Sequence, residues 1–143
     1  MTNPRLEIDY VTRAGHRLEA LRVLLARGAH ADVVREAQEI IELSLKALLR
    51  ACGVTVPHDV GQILVREAGR LPAGLRAHAE RMAAISKALR KDREIAFYGS
   101  EDLIPSEFYT ATDAGQAYED ARWVHERVTT VVIPEGGSSR TES

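Results

Sequence analysis

The hydrophobic pattern is clearest between residues 33 and 52. Apolar residues recur there at steps of three and four, which stacks them along one side of an α-helix. They are Val34, Ala37, Ile41, Leu45, Leu48 and Cys52. Ile40, Leu43 and Leu49 widen this stripe, as is typical of a helix covered by neighbours on two or three sides. The pattern predicts a central helix that ends at Gly53, because glycine readily adopts a left-handed conformation.

The same periodicity predicts three further long helices. Two occupy about residues 3–28 and 75–96, and the last starts at a cap on Thr110 or Thr112 and stops at Pro134. The link before the central helix is short, so the first helix is predicted to be its antiparallel neighbour. The inward seams of these helices are Tyr10, Ala14, Leu18, Leu21 and Leu25, then Leu75, Ala79, Met82, Ile85 and Leu89, then Ala114, Ala117, Ala121, Val124, Val128 and Val131.

Two connecting stretches have distinct patterns. Asp59 is predicted to cap a short helix, with Gln62 three residues later as its reciprocal partner. Residues 97–112 form the one long stretch without helical periodicity. Its apolar and aromatic side chains predict a loop that is packed and ordered; they are Leu103, Ile104, Phe108 and Tyr109.

The fold expected from these elements is all-α. It is an up-and-down bundle of four long helices plus one short helix, with an ordered loop before the last helix. Residues 1–133 form one domain that is large enough for a hydrophobic core. Residues 134–143 are rich in glycine and serine, so this tail is predicted to be disordered.

Composition and charge narrow the function classes. Hydrophobic residues make up 45% of the 143 residues and the net charge is −2, so the overall balance does not favour a DNA or membrane partner. The single cysteine excludes an intrachain disulfide and a cysteine-based zinc site. The chain starts without a signal-peptide pattern, and no apolar run approaches the roughly 20 residues that cross a bilayer. A cytoplasmic protein is expected.

Candidate chemistry concentrates in residues 92–109. Acidic residues surround a single basic residue there, Arg93; they are Asp92, Glu94, Glu101, Asp102 and Glu107. One interpretation is a polar pocket in which Arg93 and Tyr98 meet a nucleotide or a partner's basic surface, with Glu101 or Asp102 able to take a divalent ion. The other is that Arg93 pairs with a carboxylate while Tyr98 packs under the loop. A loop with this many acidic residues is unfavourable for binding the phosphates of RNA.

Two further groups also have a functional and a structural interpretation. Basic residues along the 75–96 helix form either an RNA-facing stripe or a solvated helix face; they are Arg76, Arg81, Lys87, Arg90, Lys91 and Arg93. On the last helix, Trp123 is either a partner anchor together with Arg122 and Arg127, or a core residue.

Three segments, in this order, resemble the HEPN family of helical domains (higher eukaryotes and prokaryotes nucleotide-binding). The central helix carries alanine, then glutamate, then Lys-Ala-Leu-Leu at the family's spacing, at Ala37, Glu42 and Lys46. The segment Pro57-His58-Asp59-Val60 is similar to the start of the family's short third helix. The segment Arg93-Glu94-Ile95-Ala96-Phe97-Tyr98-Gly99 lies where the family often carries arginine, four to six residues, then histidine.

The resemblance implies an up-and-down bundle that commonly forms a homodimer and needs no cofactor or metal. Many members of the family are metal-independent RNA-cleaving toxins, and others are non-catalytic partners of small nucleotidyltransferases in toxin–antitoxin pairs. In members with the full motif, the arginine could stabilise a phosphorane-like charge while the histidine moves a proton.

This sequence departs from the family motif at one decisive position. Tyr98 stands five residues after Arg93, where a histidine is expected, and a tyrosine with an unperturbed pKa near 10 is a poor general base at neutral pH. Tyr98 could instead orient a phosphate or accept a nucleotidyl group from a partner enzyme. The first hypothesis is therefore a non-catalytic module that binds nucleotide or a nucleotidyltransferase encoded nearby. The second is a ribonuclease with an atypical Arg93 and Tyr98 site.

Both hypotheses use one set of candidate residues. Arg93 and Tyr98 are the candidate catalytic pair. The candidate contacts for a ligand or partner are Asp92, Glu94, Glu101, Asp102, Tyr109 and Lys46. Glu42 and Lys46 are four residues apart, so they form either an ordinary helix pair or part of a wider polar network.

Overall fold

The computed structural model describes residues 4–55 and 60–134, without the side chains of residues 4, 5, 92–95 and 97. This part of the chain contains seven α-helices and one 3₁₀ turn at Ala68–Arg70. It contains no strand, and only an isolated bridge joins Ser100 to Leu103. The helices are α1 Pro4–Ala26, α2 His30–Ala51, α3 Val60–Arg66, α4 Ala73–Arg76, α5 Ala79–Tyr98, α6 Pro105–Phe108 and α7 Ala111–Val132.

Helix α2 is the centre of the bundle, as its broad apolar stripe predicts. It packs against α1, α5 and α7, and α1 also packs against α7. Twelve of its 22 residues are buried, and two of these twelve are polar, Gln38 and Ser44. Gly53 follows with a φ of 80°, the left-handed turn expected after the helix. The all-α bundle of four long helices is therefore confirmed.

Helices α1 and α7 are joined by a contact that explains a glycine inside α1. The Nε2 atom of His125 lies 3.0 Å from the carbonyl oxygen of Val11. Because a carbonyl only accepts, Nε2 carries the proton and donates it. A Cβ atom at Gly15 would lie 3.4 Å from the His125 ring, so the absence of a side chain leaves room for the imidazole.

The helix predicted over residues 75–96 is wrong at its start, whereas its end lies within two residues of the predicted one. The chain forms the one-turn helix α4 first, bends at Ala77 and His78, and begins α5 at Ala79. The Arg76 guanidinium donates to the carbonyl of Leu71 at 3.0 Å, which holds α4 against the extended residues before it. Leu75 and Ala79 are both buried, so the hydrophobic pattern runs through the bend without revealing it.

The loop before α7 is ordered, as predicted, but it buries less than its composition suggests. Gly99 ends α5 with a φ of 76°, and a Cβ atom there would lie 2.5 Å from the Leu103 carbonyl oxygen. After this tight turn, Ile104 is 59% and Phe108 is 51% exposed, whereas Tyr109 is only 5% exposed. Two of the four apolar residues on which the prediction of a packed loop depends are therefore exposed.

The start of α7 decides between the two predicted helix caps, Thr110 and Thr112. Thr110, not Thr112, caps the helix through a reciprocal pair of hydrogen bonds with Asp113.

The predicted cap Asp59, with Pro57 and His58, lies outside the described residues, and so does the tail 135–143. Helix α3 itself is present, and its apolar residues Val60, Ile63 and Leu64 are buried. None of the helices in the described ranges is long and apolar enough to cross a membrane.

Candidate functional site

The sequence-predicted pair Arg93 and Tyr98 lies in the last two turns of α5. The two residues are five positions apart, so their directions from the helix axis differ by about 140° in a helix with 3.6 residues per turn. The Arg93 side chain lies outside the described part. Tyr98 is 74% exposed, so it does not pack under the loop, and that structural interpretation is wrong. The phenol is accessible to a second molecule.

The other predicted contacts near Tyr98 divide into exposed and buried groups. Glu101 and Asp102 are exposed at the tip of the turn that Gly99 begins. Tyr109 is buried, with its ring edge-on to Phe108 at a centroid distance of 4.9 Å. The side chains of Asp92 and Glu94 lie outside the described residues. The exposed acids of the turn thus lie, along the chain, between two exposed aromatic residues, Tyr98 at the end of α5 and Phe108 in α6.

Glu42 belongs to a polar connection between α2 and α5, not to a simple pair with Lys46. Its carboxylate accepts a hydrogen bond from the buried Ser86 hydroxyl at 3.1 Å. It also forms an ion pair with Arg90 at 3.6 Å. Ser86, Arg90 and Arg93 are spaced i, i+4 and i+7, so these three positions share one face of α5. Glu42 therefore anchors the helix face that leads to Arg93.

Lys46 lines a cavity of about 110 Å³ between α1 and α2. Arg13 and Arg17 come from α1, and the remaining lining residues Glu39, Glu42 and Leu43 come from α2. Arg17 is held by Glu36 at 2.6 Å. Sequence reasoning named Lys46 but missed the two arginines. Their signal was available, because they stand four residues apart on the helix predicted to lie beside α2.

A second polar cavity was not predicted from the sequence. It has a volume of about 330 Å³ and lies between α5, α6 and α7, with Gln116 and Asp120 on one side. The Gln116 amide donates to the Asp120 carboxylate at 3.0 Å. Burial raises the pKa of Asp120 above its usual range, against the opposing effects of the Gln116 hydrogen bond and the Arg81 charge. The sequence signal was only the i, i+4 spacing of the two residues.

Trp123 is partly buried and packs against the hydrophobic core, which favours the structural interpretation. Its half-buried ring has the Arg81 guanidinium at 4.0 Å and the Arg127 guanidinium at 5.0 Å from its centroid. The His78 ring meets it edge-on at 5.2 Å. Arg122 is instead bound to Glu119 at 2.8 Å. Two residues of the predicted basic stripe thus have different roles: Arg81 packs on an aromatic ring, and Arg90 pairs with Glu42.

No group of three histidine, cysteine or acidic side chains that could hold a metal occurs among the described residues. Glu101 and Asp102 thus do not form part of such a group in this part of the chain.

The comparison with protein families agrees with the helical architecture. The family model described as HEPN domain matches residues 9–131, which include the central helix α2, the Arg93 and Tyr98 segment and nearly all of α7. No curated protein matches the chain, and no solved structure does. Since the matched range covers well over half of the sequence, the chain belongs to the HEPN family.

Proposed function

We propose that this protein is a non-catalytic HEPN module that acts as a homodimer or beside a small nucleotidyltransferase, in a toxin–antitoxin or stress system. Membership of the HEPN family makes it a helical module of the nucleotide-binding or RNase type. The chemistry at the end of α5 favours the non-catalytic type.

The observation that carries the proposal is Tyr98 itself. It stands at the position of the motif histidine and is 74% exposed. A tyrosine hydroxyl is a poor general base at neutral pH, because a phenol keeps its own proton there. The same hydroxyl is a suitable acceptor for a nucleotidyl group. Once a partner's base removes its proton, the phenolate oxygen attacks the α-phosphorus of a nucleoside triphosphate, the α–β phosphoanhydride bond breaks and pyrophosphate leaves. Exposure makes it reachable by another enzyme's active site.

The surroundings of Tyr98 support a protein partner. Ile104 and Phe108 are exposed on the same tight turn region, and Glu101 and Asp102 are exposed beside them. Exposed aromatic residues with a charged rim are typical of interfaces in which a few side chains carry most of the binding energy. The acidic rim favours a basic partner surface over the phosphates of RNA.

The test is co-expression with a small nucleotidyltransferase encoded next to this gene. We expect co-purification, and a nucleotidyl adduct on Tyr98 by peptide mass spectrometry. Tyr98→Phe should lose the adduct, whereas Tyr118→Phe, a half-buried tyrosine on α7, should keep it. Light scattering of the purified chain measures the dimer. A chain that stays monomeric and does not co-purify with such an enzyme would contradict the proposal.

The alternative is a metal-independent ribonuclease that uses Arg93 and Tyr98. It is favoured by the shared helix face of Arg93 and Arg90, since the Glu42 connection fixes the latter. Purified protein would then cleave transfer RNA in the presence of EDTA. Cleavage should disappear in Arg93→Ala and in Tyr98→Phe. Cleavage at the wild-type rate in both variants would reject these residues as the site.

A further inference from the structure

The cavity between α1 and α2 brings three cationic side chains together from two helices. Arg13 and Arg17 face it from α1, and Lys46 faces it from α2. Its volume of about 110 Å³ equals roughly three to four water molecules at about 30 Å³ each. A group of a few polar atoms fits such a space.

The acidic residues around this cavity already have partners. Glu36 binds Arg17 at 2.6 Å and Arg35 at 3.6 Å. Glu42 binds Ser86 and Arg90 on the side of α5. Glu39 is engaged as well. Glu36 and Glu42 are therefore held in place, and arginines compensate their charges.

Lys46 is the exception among the charged groups that line the cavity. Among the side chains that the structure describes, none forms a hydrogen bond or an ion pair with the Lys46 ammonium group. Arg13 has only a long contact of 3.6 Å to Asp9, in which both side chains are more than half exposed. Such exposed pairs contribute little, so the Arg13 guanidinium can turn to another anion at small cost.

We infer that this cavity binds a phosphate group, with Lys46 and Arg13 as its ligands and Arg17 as a fixed wall. A phosphate has several acceptor oxygens and up to two negative charges, which matches an ammonium group beside a guanidinium fork. The inference rests on the nucleotide association of the proposed function and gives it a location away from Tyr98. The phosphate could come from a free nucleotide or from an RNA strand.

The experiment is a titration of the purified chain at low salt, followed by amide NMR shifts and calorimetry. The probes are inorganic pyrophosphate, ATP, adenosine and a 12-nucleotide oligoadenylate. We expect pyrophosphate and ATP to shift the amides around Arg13 and Lys46, and adenosine to leave them unchanged. Tighter binding of ATP than of the oligonucleotide identifies a free nucleotide as the source, and the reverse order identifies RNA.

Two matched pairs of variants test the assignment. Lys46→Met should weaken pyrophosphate binding about tenfold, and Arg13→Gln by a smaller factor, since each loses a charge-assisted hydrogen bond. Lys87→Met and Arg22→Gln remove the same charges from other exposed positions and should leave binding unchanged. Lys46→Arg keeps the charge and should retain most of the affinity. Thermal melting checks that each variant is folded.

Three results would overturn the inference. They are no binding of pyrophosphate or ATP to the wild-type chain, unchanged binding in Lys46→Met, and an equal loss in Lys87→Met, which would mean general charge attraction. The test uses this chain alone. Failure to find a nucleotidyltransferase partner therefore leaves the inference intact. If a partner binds and any of these three results is also obtained, the inference alone is contradicted.

Discussion

The contact of α2 with α7 and the contact of α2 with α5 differ in composition. The α7 side contributes small and branched apolar residues that are fully buried, such as Ala121 and Val124. The α5 side includes a carboxylate from α2, a buried hydroxyl and a guanidinium, in Glu42, Ser86 and Arg90. The first contact holds the bundle together through the burial of apolar side chains. The second contact removes polar groups from water, which costs free energy unless those groups stay paired. It also leads along α5 to the segment that carries Arg93.

The largest effect is expected in the apolar core. Leu48 of α2 is fully buried, so Leu48→Ala should lower the free energy of unfolding by about 2–5 kcal/mol. The melting temperature should fall by roughly 6–15 °C. Circular dichroism melting measures it. A fall no larger than that of a substitution at exposed Val23 would mean that the core does not lie along this face of α2.

Loss of Glu42 tests the polar contact. Glu42→Ala leaves the buried Ser86 hydroxyl without its acceptor, so it should cost about 1–3 kcal/mol in urea denaturation. Glu42→Gln keeps an acceptor and should cost less. The double variant with Ser86→Ala should cost less than the sum of the single variants, because both lose one shared interaction. Strictly additive costs would show that the two side chains do not interact.

Two glycines give effects of opposite sign. Gly99→Ala forces a side chain into a left-handed turn, with its Cβ atom 2.5 Å from a carbonyl oxygen, and should destabilise the protein by about 1–3 kcal/mol. Gly115 lies inside α7 with open space around it, so Gly115→Ala should stabilise by up to about 1 kcal/mol. Thermal melting compares them. Equal signs would contradict the rigid turn after α5.

The sequence predicts the apolar contact better than the polar one for a physical reason. Burial in α7 repeats every three to four residues, so the seam from Ala114 to Val128 is visible in one segment. The Glu42–Ser86 bond joins residues 44 apart and has no periodic signature. The bend before α5 is hidden for a related reason, since Leu75 and Ala79 keep the helical spacing through it. The exposure of Ile104 and Phe108 depends on the Gly99 turn, which directs them away from the core.

The smallest effect is expected from Asp120, and it concerns pH. Burial raises the pKa of this carboxyl in the folded protein above its unfolded value. A raised acid pKa means that the folded state holds the proton more tightly, so Asp120 favours folding most at low pH and loses that contribution as pH rises through the folded pKa. Asp120→Asn removes this dependence. The melting temperature of the variant relative to wild type should therefore increase from pH 4 to pH 7. The exposed substitution Asp102→Asn controls for net charge, and an Asp120→Asn difference that stays constant over this range would show that the α5–α6–α7 cavity does not desolvate the carboxyl.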